Sequence, residues 1–92
     1  MTKSKLPKWF TENPNNQLYQ EGDIVQNPFS GESYELTAEE LAMYDYILGL
    51  QFAIDRRGGP FSPETFTYQK YMQKGLSWFR KHNAEAYMVL LD

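Results

Sequence analysis

Between Thr37 and Lys81 the chain carries the start and stop signals of two helices of similar length, and few folds satisfy both. Thr37-Ala38-Glu39-Glu40 supplies an N-cap hydroxyl with a carboxylate three residues on, and Leu36 and Leu41 stand where a hydrophobic staple fixes a helix entry. Met43, Ile47, Leu50 and Ile54 then recur at helical spacing, with Leu41, Tyr44, Leu48 and Phe52 beside them. More than half of that circumference is apolar, which predicts a helix covered on two sides. Arg56-Arg57-Gly58-Gly59-Pro60 ends it with cations at the negative end of the dipole, glycines for a left-handed cap and a proline that cannot continue. The second helix is predicted from Ser62 as N-cap and Pro63 at N1, with Phe61 and Phe66 as its staple, to about Lys81. Its apolar positions are Phe66, Tyr68, Tyr71, Met72, Leu76, Trp78 and Phe79, while Lys70, Lys74, Ser77 and Lys81 share a polar stripe.

The short connection makes these two helices an antiparallel hairpin. With the turn centred near Gly59, Tyr44 falls beside Gly75 and Tyr71 beside Gly49, each glycine a notch for a ring. Ahead of the pair, Gly22–Gln26 and Glu32–Leu36 flank the turn-forming run Asn27-Pro28-Phe29-Ser30-Gly31, a β-hairpin pattern. Opposing Gln26 to Glu32 sets Ile24 against Tyr34 and Asp23 against Glu35, with Ile24, Tyr34 and Leu36 inward and Val25 outward. Asn83 reads as the cap of a short last helix, Ala84 to Leu91, with Tyr87, Met88 and Leu91 inward. Residues 1–20 are polar and read as an extended arm that only Trp9, Phe10, Leu18 and Tyr19 could anchor. The predicted fold is α+β and α-dominated: over residues 21–92, a single compact domain in which a β-hairpin packs on an antiparallel two-helix hairpin plus a short C-terminal helix.

At 92 residues, 41% hydrophobic and 16% aromatic, the chain has material for one modest core. It contains no Cys, which excludes disulfides, zinc–thiolate sites and thiol catalysis and suits a reducing compartment. The most apolar stretch, Tyr46 to Ile54, is far short of a membrane span, and no apolar segment follows Lys3, Lys5 and Lys8 as a signal peptide requires. The expectation is a cytoplasmic protein with no membrane partner. Charge is strongly segregated: Glu12 to Asp55 holds acids and no Lys or Arg, whereas Arg56 to Lys81 holds six basic residues against Glu64 alone. In the antiparallel hairpin this brings Glu39 and Glu40 near Arg80 and Lys81, each charge at the helix end its dipole favours.

Catalytic and metal signatures are missing. His82 is the only histidine, so a metal site built on it would have carboxylates alone as companions. No nucleophile-elbow motif surrounds any serine. Asp23 opposite Glu35 reads first as a hydrated pair on the solvent face and second as a site for acid–base chemistry or a divalent cation. Arg56-Arg57-Gly58-Gly59 lacks phosphate-loop spacing and lies at a helix C-terminus, whose dipole repels anions. Lys70, Lys74 and Lys81, next to Tyr71 and Trp78, form the one pattern that fits a nucleic-acid strand, with cations for phosphates and rings for bases. The bland reading of the same residues is a solvated stripe beside core rings.

The run Asn27-Pro28-Phe29-Ser30-Gly31-Glu32-Ser33-Tyr34-Glu35-Leu36-Thr37, with Tyr44-Asp45-Tyr46-Ile47, Trp78-Phe79-Arg80-Lys81 and Ala86-Tyr87-Met88-Val89-Leu90-Leu91-Asp92, resembles small uncharacterised proteins of marine bacteriophages and related metagenomic sequences. The resemblance spans roughly residues 22–92 and carries no catalytic motif. It implies a phage-encoded protein acting in the cytoplasm of an infected bacterium, and it transfers no activity, cofactor or site residue. The functional expectation is a non-enzymatic, self-associating interaction module without cofactor or metal, a homodimer first among homo-oligomers. The alternative is weak single-stranded nucleic-acid binding through Lys70, Lys74, Lys81, Tyr71 and Trp78.

Overall fold

The computed structural model of the chain describes residues 6–13, 16 and 18–91. In chain order it contains a helical turn α1 (Lys8–Thr11), strands β1 (Asp23–Gln26) and β2 (Ser33–Leu36), helix α2 (Ala38–Arg56), a 3-10 turn (Pro63–Thr65), helix α3 (Phe66–His82) and helix α4 (Ala84–Leu90). The α-dominated α+β fold is thus a two-stranded antiparallel hairpin packed against several helices. Residues 57–62 join α2 to the turn before α3 at one end, and Asn83 Nδ2 donates to Glu40 Oε2 (3.0 Å) at the other, so the two long helices run antiparallel.

Local signals set both ends of α2. Thr37 Oγ1 accepts from Glu40 N at 3.3 Å, and Glu40 Oε1 accepts in return from Thr37 N at 3.0 Å, which closes the capping box. At the other end Gly58 and Gly59 take φ of 105° and 84°, and Gly59 N donates to Ile54 O at 2.9 Å in a Schellman-type cap. The start of α3 departs from expectation. Ser62 makes no side-chain cap, and Phe61 and Phe66 are exposed rather than stapled. Thr65 does the work instead: its fully buried hydroxyl lies 2.8 Å from Ser62 O and 3.0 Å from Gly59 O and accepts from Gln69 Nε2 at 2.8 Å. Burial of a hydroxyl requires such partners, and it draws the chain into a 3-10 turn first.

The hairpin register differs by one residue from that expected. Gln26 pairs with Ser33, Val25 with Tyr34, Ile24 with Glu35 and Asp23 with Leu36. Asn27 N donates to Glu32 O at 2.8 Å, so the connection is the four residues Pro28 to Gly31, with Asn27 Oδ1 accepting from Phe29 N at 2.8 Å and Gly31 at φ 79°. A one-residue slip flips every side chain of a strand. Val25 is therefore half-buried beside Tyr34 and Leu36, and Ile24 faces solvent at 65% exposure.

Phe10, Leu36, Met43, Ile47 and Phe79 form the innermost core, closed by Ala86 and Leu90 of α4. Asn83 Oδ1 caps α4 by accepting from Ala86 N at 3.1 Å and also accepts from Tyr34 OH at 3.3 Å, while Asn27 Nδ2 donates to Val89 O at 2.9 Å. These bonds seat the β-hairpin on α4. Met88, expected inward, is exposed, because the inward stripe of α4 runs through Ala86 and Leu90. The N-terminal segment is not an extended arm over its described part, since α1 folds back and Phe10 is wholly buried. Neither tyrosine notch forms. A methyl group on Gly75 would lie 2.9 Å from Ile47 Cγ1 and 3.3 Å from Met43 Sδ, whereas one on Gly49 would meet nothing within 4 Å.

Candidate functional site

Burial of Phe10 places its neighbour Trp9 against α3. Asn16 Nδ2 donates to Phe10 O at 2.9 Å and holds the turn, and the Trp9 ring then stands 5.9 Å from Tyr46 and 5.8 Å from Tyr71 between centroids. Lys74 Nζ sits 5.1 Å from the Tyr71 centroid and 5.8 Å from that of Trp9, within reach of both ring faces. The result is an open groove of about 540 Å³ lined by Pro7, Trp9, Gln73, Lys74, Ser77, Trp78 and Lys81. Of the residues nominated from sequence, Lys74, Lys81 and Trp78 line this groove, and Tyr71 stands beside it. Trp78 offers little surface, being 8% exposed and packed on Phe79 and on His82, whose ring centroid is 4.6 Å away. Lys70 lies elsewhere. Trp9 lies outside the α3 stripe that sequence spacing marks, and the one local signal for it is the adjoining cation Lys8.

Lys70 belongs to a second groove, about 400 Å³, between α2 and α3 near their connection. Ile54 and Met72 supply apolar surface, α2 contributes the exposed Asp55 and Gln51, and α3 contributes the exposed Lys70 and the half-buried Gln69. Leu48 and Phe52, one turn apart on α2, remain exposed, Phe52 at 63%, so α2 is not covered on the two sides its composition predicts.

The acidic pair expected on the hairpin does not exist. In the observed register Asp23 opposes Leu36 and Glu35 opposes Ile24, which puts the two carboxylates on opposite faces. Asp23 Oδ1 accepts instead from Ile24 N at 2.7 Å. Arg56 lies over the Phe52 ring and Arg57 over Tyr68, each 5.5 Å from the centroid, so both guanidinium groups are occupied with aromatic faces at the helix cap. Among the described residues no group of three or more His, Asp or Glu is placed to hold a metal ion, and no helix is long and apolar enough to cross a membrane.

Tyr19 OH donates to Asp45 Oδ2, and that bond, ahead of desolvation, raises the Tyr19 phenol above its ordinary value of 10.0. Desolvation is the larger cause for Tyr44 and Tyr46, also raised, with Asp45 adding to the first and Tyr71 to the second. A raised folded-state pKa means the folded chain holds the proton more tightly, so the stabilisation is complete below about pH 10 and is lost as pH rises through the raised values. Melting temperature is expected to stay level to about pH 9 and fall above about pH 10, with Tyr44→Phe flattening the fall. Thermal melts followed by circular dichroism check this, and equal slopes for the two proteins would remove Tyr44 as a cause.

Compared with models of known protein families, with curated proteins and with solved structures, the chain matches none. The reading of function therefore rests on the two grooves. Ring faces and ammonium groups line the first, and apolar side chains with Asp55 and Lys70 line the second.

Proposed function

We propose that the protein is a non-enzymatic interaction module that pairs with a second copy of itself through the broad side of its helical hairpin. The observation that carries this reading is the groove between α2 and α3, to which α2 contributes the acid Asp55, α3 the base Lys70, and Ile54 and Met72 apolar surface. A two-fold rotation about an axis parallel to the helices lays α2 of one protomer over α3 of the other. Each Asp55 then meets a Lys70, twice in the dimer, and Leu48 and Phe52 gain cover. The wider segregation of acids before Arg56 and bases after it extends the same complementarity along both helices. An interface of this kind buries on the order of 1,200–2,000 Å² in total. The setting we infer is the reducing cytoplasm of a bacterium, which suits a chain without Cys.

Light scattering coupled to gel filtration at micromolar concentration tests the proposal. The expected mass is twice the 10.8 kDa of the chain. Phe52→Glu is expected to weaken pairing by about 2 kcal/mol or more, as a charge at a desolvated aromatic anchor does, with the helical spectrum unchanged. Asp55→Lys should weaken it too, and adding Lys70→Asp to that variant should restore it. A monomer throughout the micromolar range would sink the proposal, and a dimer indifferent to all three substitutions would place its interface elsewhere.

A further inference from the structure

Trp9 and Trp78, the only two tryptophans in the chain, line the same open groove. They come from opposite ends of the sequence, and Lys74 and Lys81 stand between and beyond them on α3. No carboxylate is among the described residues lining it. We propose that this groove binds single-stranded nucleic acid, with a base stacked on Trp9 and adjoining phosphates held by Lys74 and Lys81. The two lysines are seven residues apart on one helix, a rise of about 10.5 Å, so they stand on one face and reach different phosphates of one strand. Lys8 is exposed on α1, next to Trp9 in the chain, and adds positive charge beside the groove for a backbone leaving it.

Rings and cations together point to a strand rather than a purely anionic partner. An acidic peptide uses the lysines and leaves the indole of Trp9 idle. A duplex keeps its bases stacked inside and cannot offer one to a recessed ring. Single strands use both chemistries at once, in a sequence-tolerant way, because every base has a face that stacks on an aromatic ring. This site shares only Gln73 with the α2–α3 groove, so binding here and pairing there are separable by mutation.

Because no tryptophan lies outside the groove, tryptophan emission, excited selectively over the seven tyrosines, reports on this site alone. The full-length chain is titrated with oligothymidylate at low salt, and quenching is expected to saturate. The Lys74→Ala, Lys81→Ala double variant should reduce the log–log salt slope by about 1.4, two contacts at ~0.7 each. Arg57→Ala, outside both grooves, should leave the slope unchanged. Trp9→Ala should weaken binding about 5- to 150-fold, the range for loss of one base-stacking ring. Should that variant fail to fold, the lysine variants, which alter surface side chains only, still decide. Absence of quenching at low salt overturns the proposal. So does an Arg57→Ala loss equal to that of the double variant, or equal quenching by polyglutamate or phosphatidylglycerol vesicles, either of which shows a general anion surface.

Discussion

Replacing Phe10 by alanine is expected to destabilise the protein by about 3–5 kcal/mol, the range for truncating a fully buried phenylalanine. The residue lies in the most polar third of the sequence, yet it has no exposed surface and packs edge-on to Tyr46 at 5.1 Å between centroids. Two losses combine in the variant. The apolar ring leaves its contacts, and the cavity beside Tyr46 collapses only in part. A domain of this size has a total stability of about 5–14 kcal/mol, so the substitution removes a large share of it, and the melting temperature should fall by at least ~12 °C. Urea unfolding followed by circular dichroism measures it directly. A loss under about 1 kcal/mol would show that α1 docks too weakly to count as part of the core, and the groove behind Trp9 would lose its wall. The same variant also links the fold to the nucleic-acid proposal, since Trp9 has no other anchor as deep as its neighbour.

What could be read without coordinates was what depends on a few adjacent residues. The capping box at Thr37 and Glu40, the Gly58-Gly59 stop and the Asn83 cap are each a bond between groups less than six residues apart, and each forms where the sequence places it. The hairpin register was ambiguous for a physical reason. Strand β1 reads Asp-Ile-Val-Gln, with two apolar residues side by side, so alternation alone cannot say which of Ile24 and Val25 faces the core. The side chain of Asn27 breaks the tie, bonding the turn on one side and Val89 of α4 on the other. The second of these bonds spans 62 positions and has no local signature. Trp9 escaped for a similar reason. Its place in the groove depends on Phe10 entering a core built by α2 and α3, and Lys8-Trp9-Phe10-Thr11 contains nothing that dictates such docking. Of the nominated nucleic-acid residues, the stripe on α3 was visible by spacing, but spacing cannot separate Lys70 from Lys74 and Lys81. Only the neighbouring element does, and it reaches the C-terminal half of the stripe.

Gly75→Leu should destabilise by about 1–3 kcal/mol, and the comparison with Gly49 makes the cause legible. Both glycines lie inside long helices, where each forgoes up to ~1 kcal/mol of helix propensity relative to alanine. At Gly49 nothing lies within 4 Å of an added methyl group, so Gly49→Ala should stabilise by up to ~1 kcal/mol. At Gly75 the same methyl would stand 2.9 Å from Ile47 Cγ1, closer than two carbons approach, and Ile47 is itself buried with its first side-chain carbons fixed near the α2 backbone. Relief therefore requires α2 and α3 to separate, and separation loosens the Met43 and Ile47 contacts that form the centre of the core. Leucine adds three more carbons to that conflict. Thermal melts of Gly75→Ala, Gly75→Leu and Gly49→Ala give the decisive ordering: Gly75→Leu lowest, Gly49→Ala highest, and Gly75→Ala below wild type despite its better helix propensity. Stabilisation by Gly75→Ala would show that the helices part at little cost, and the close α2–α3 contact would then be a tolerance rather than a requirement of the fold.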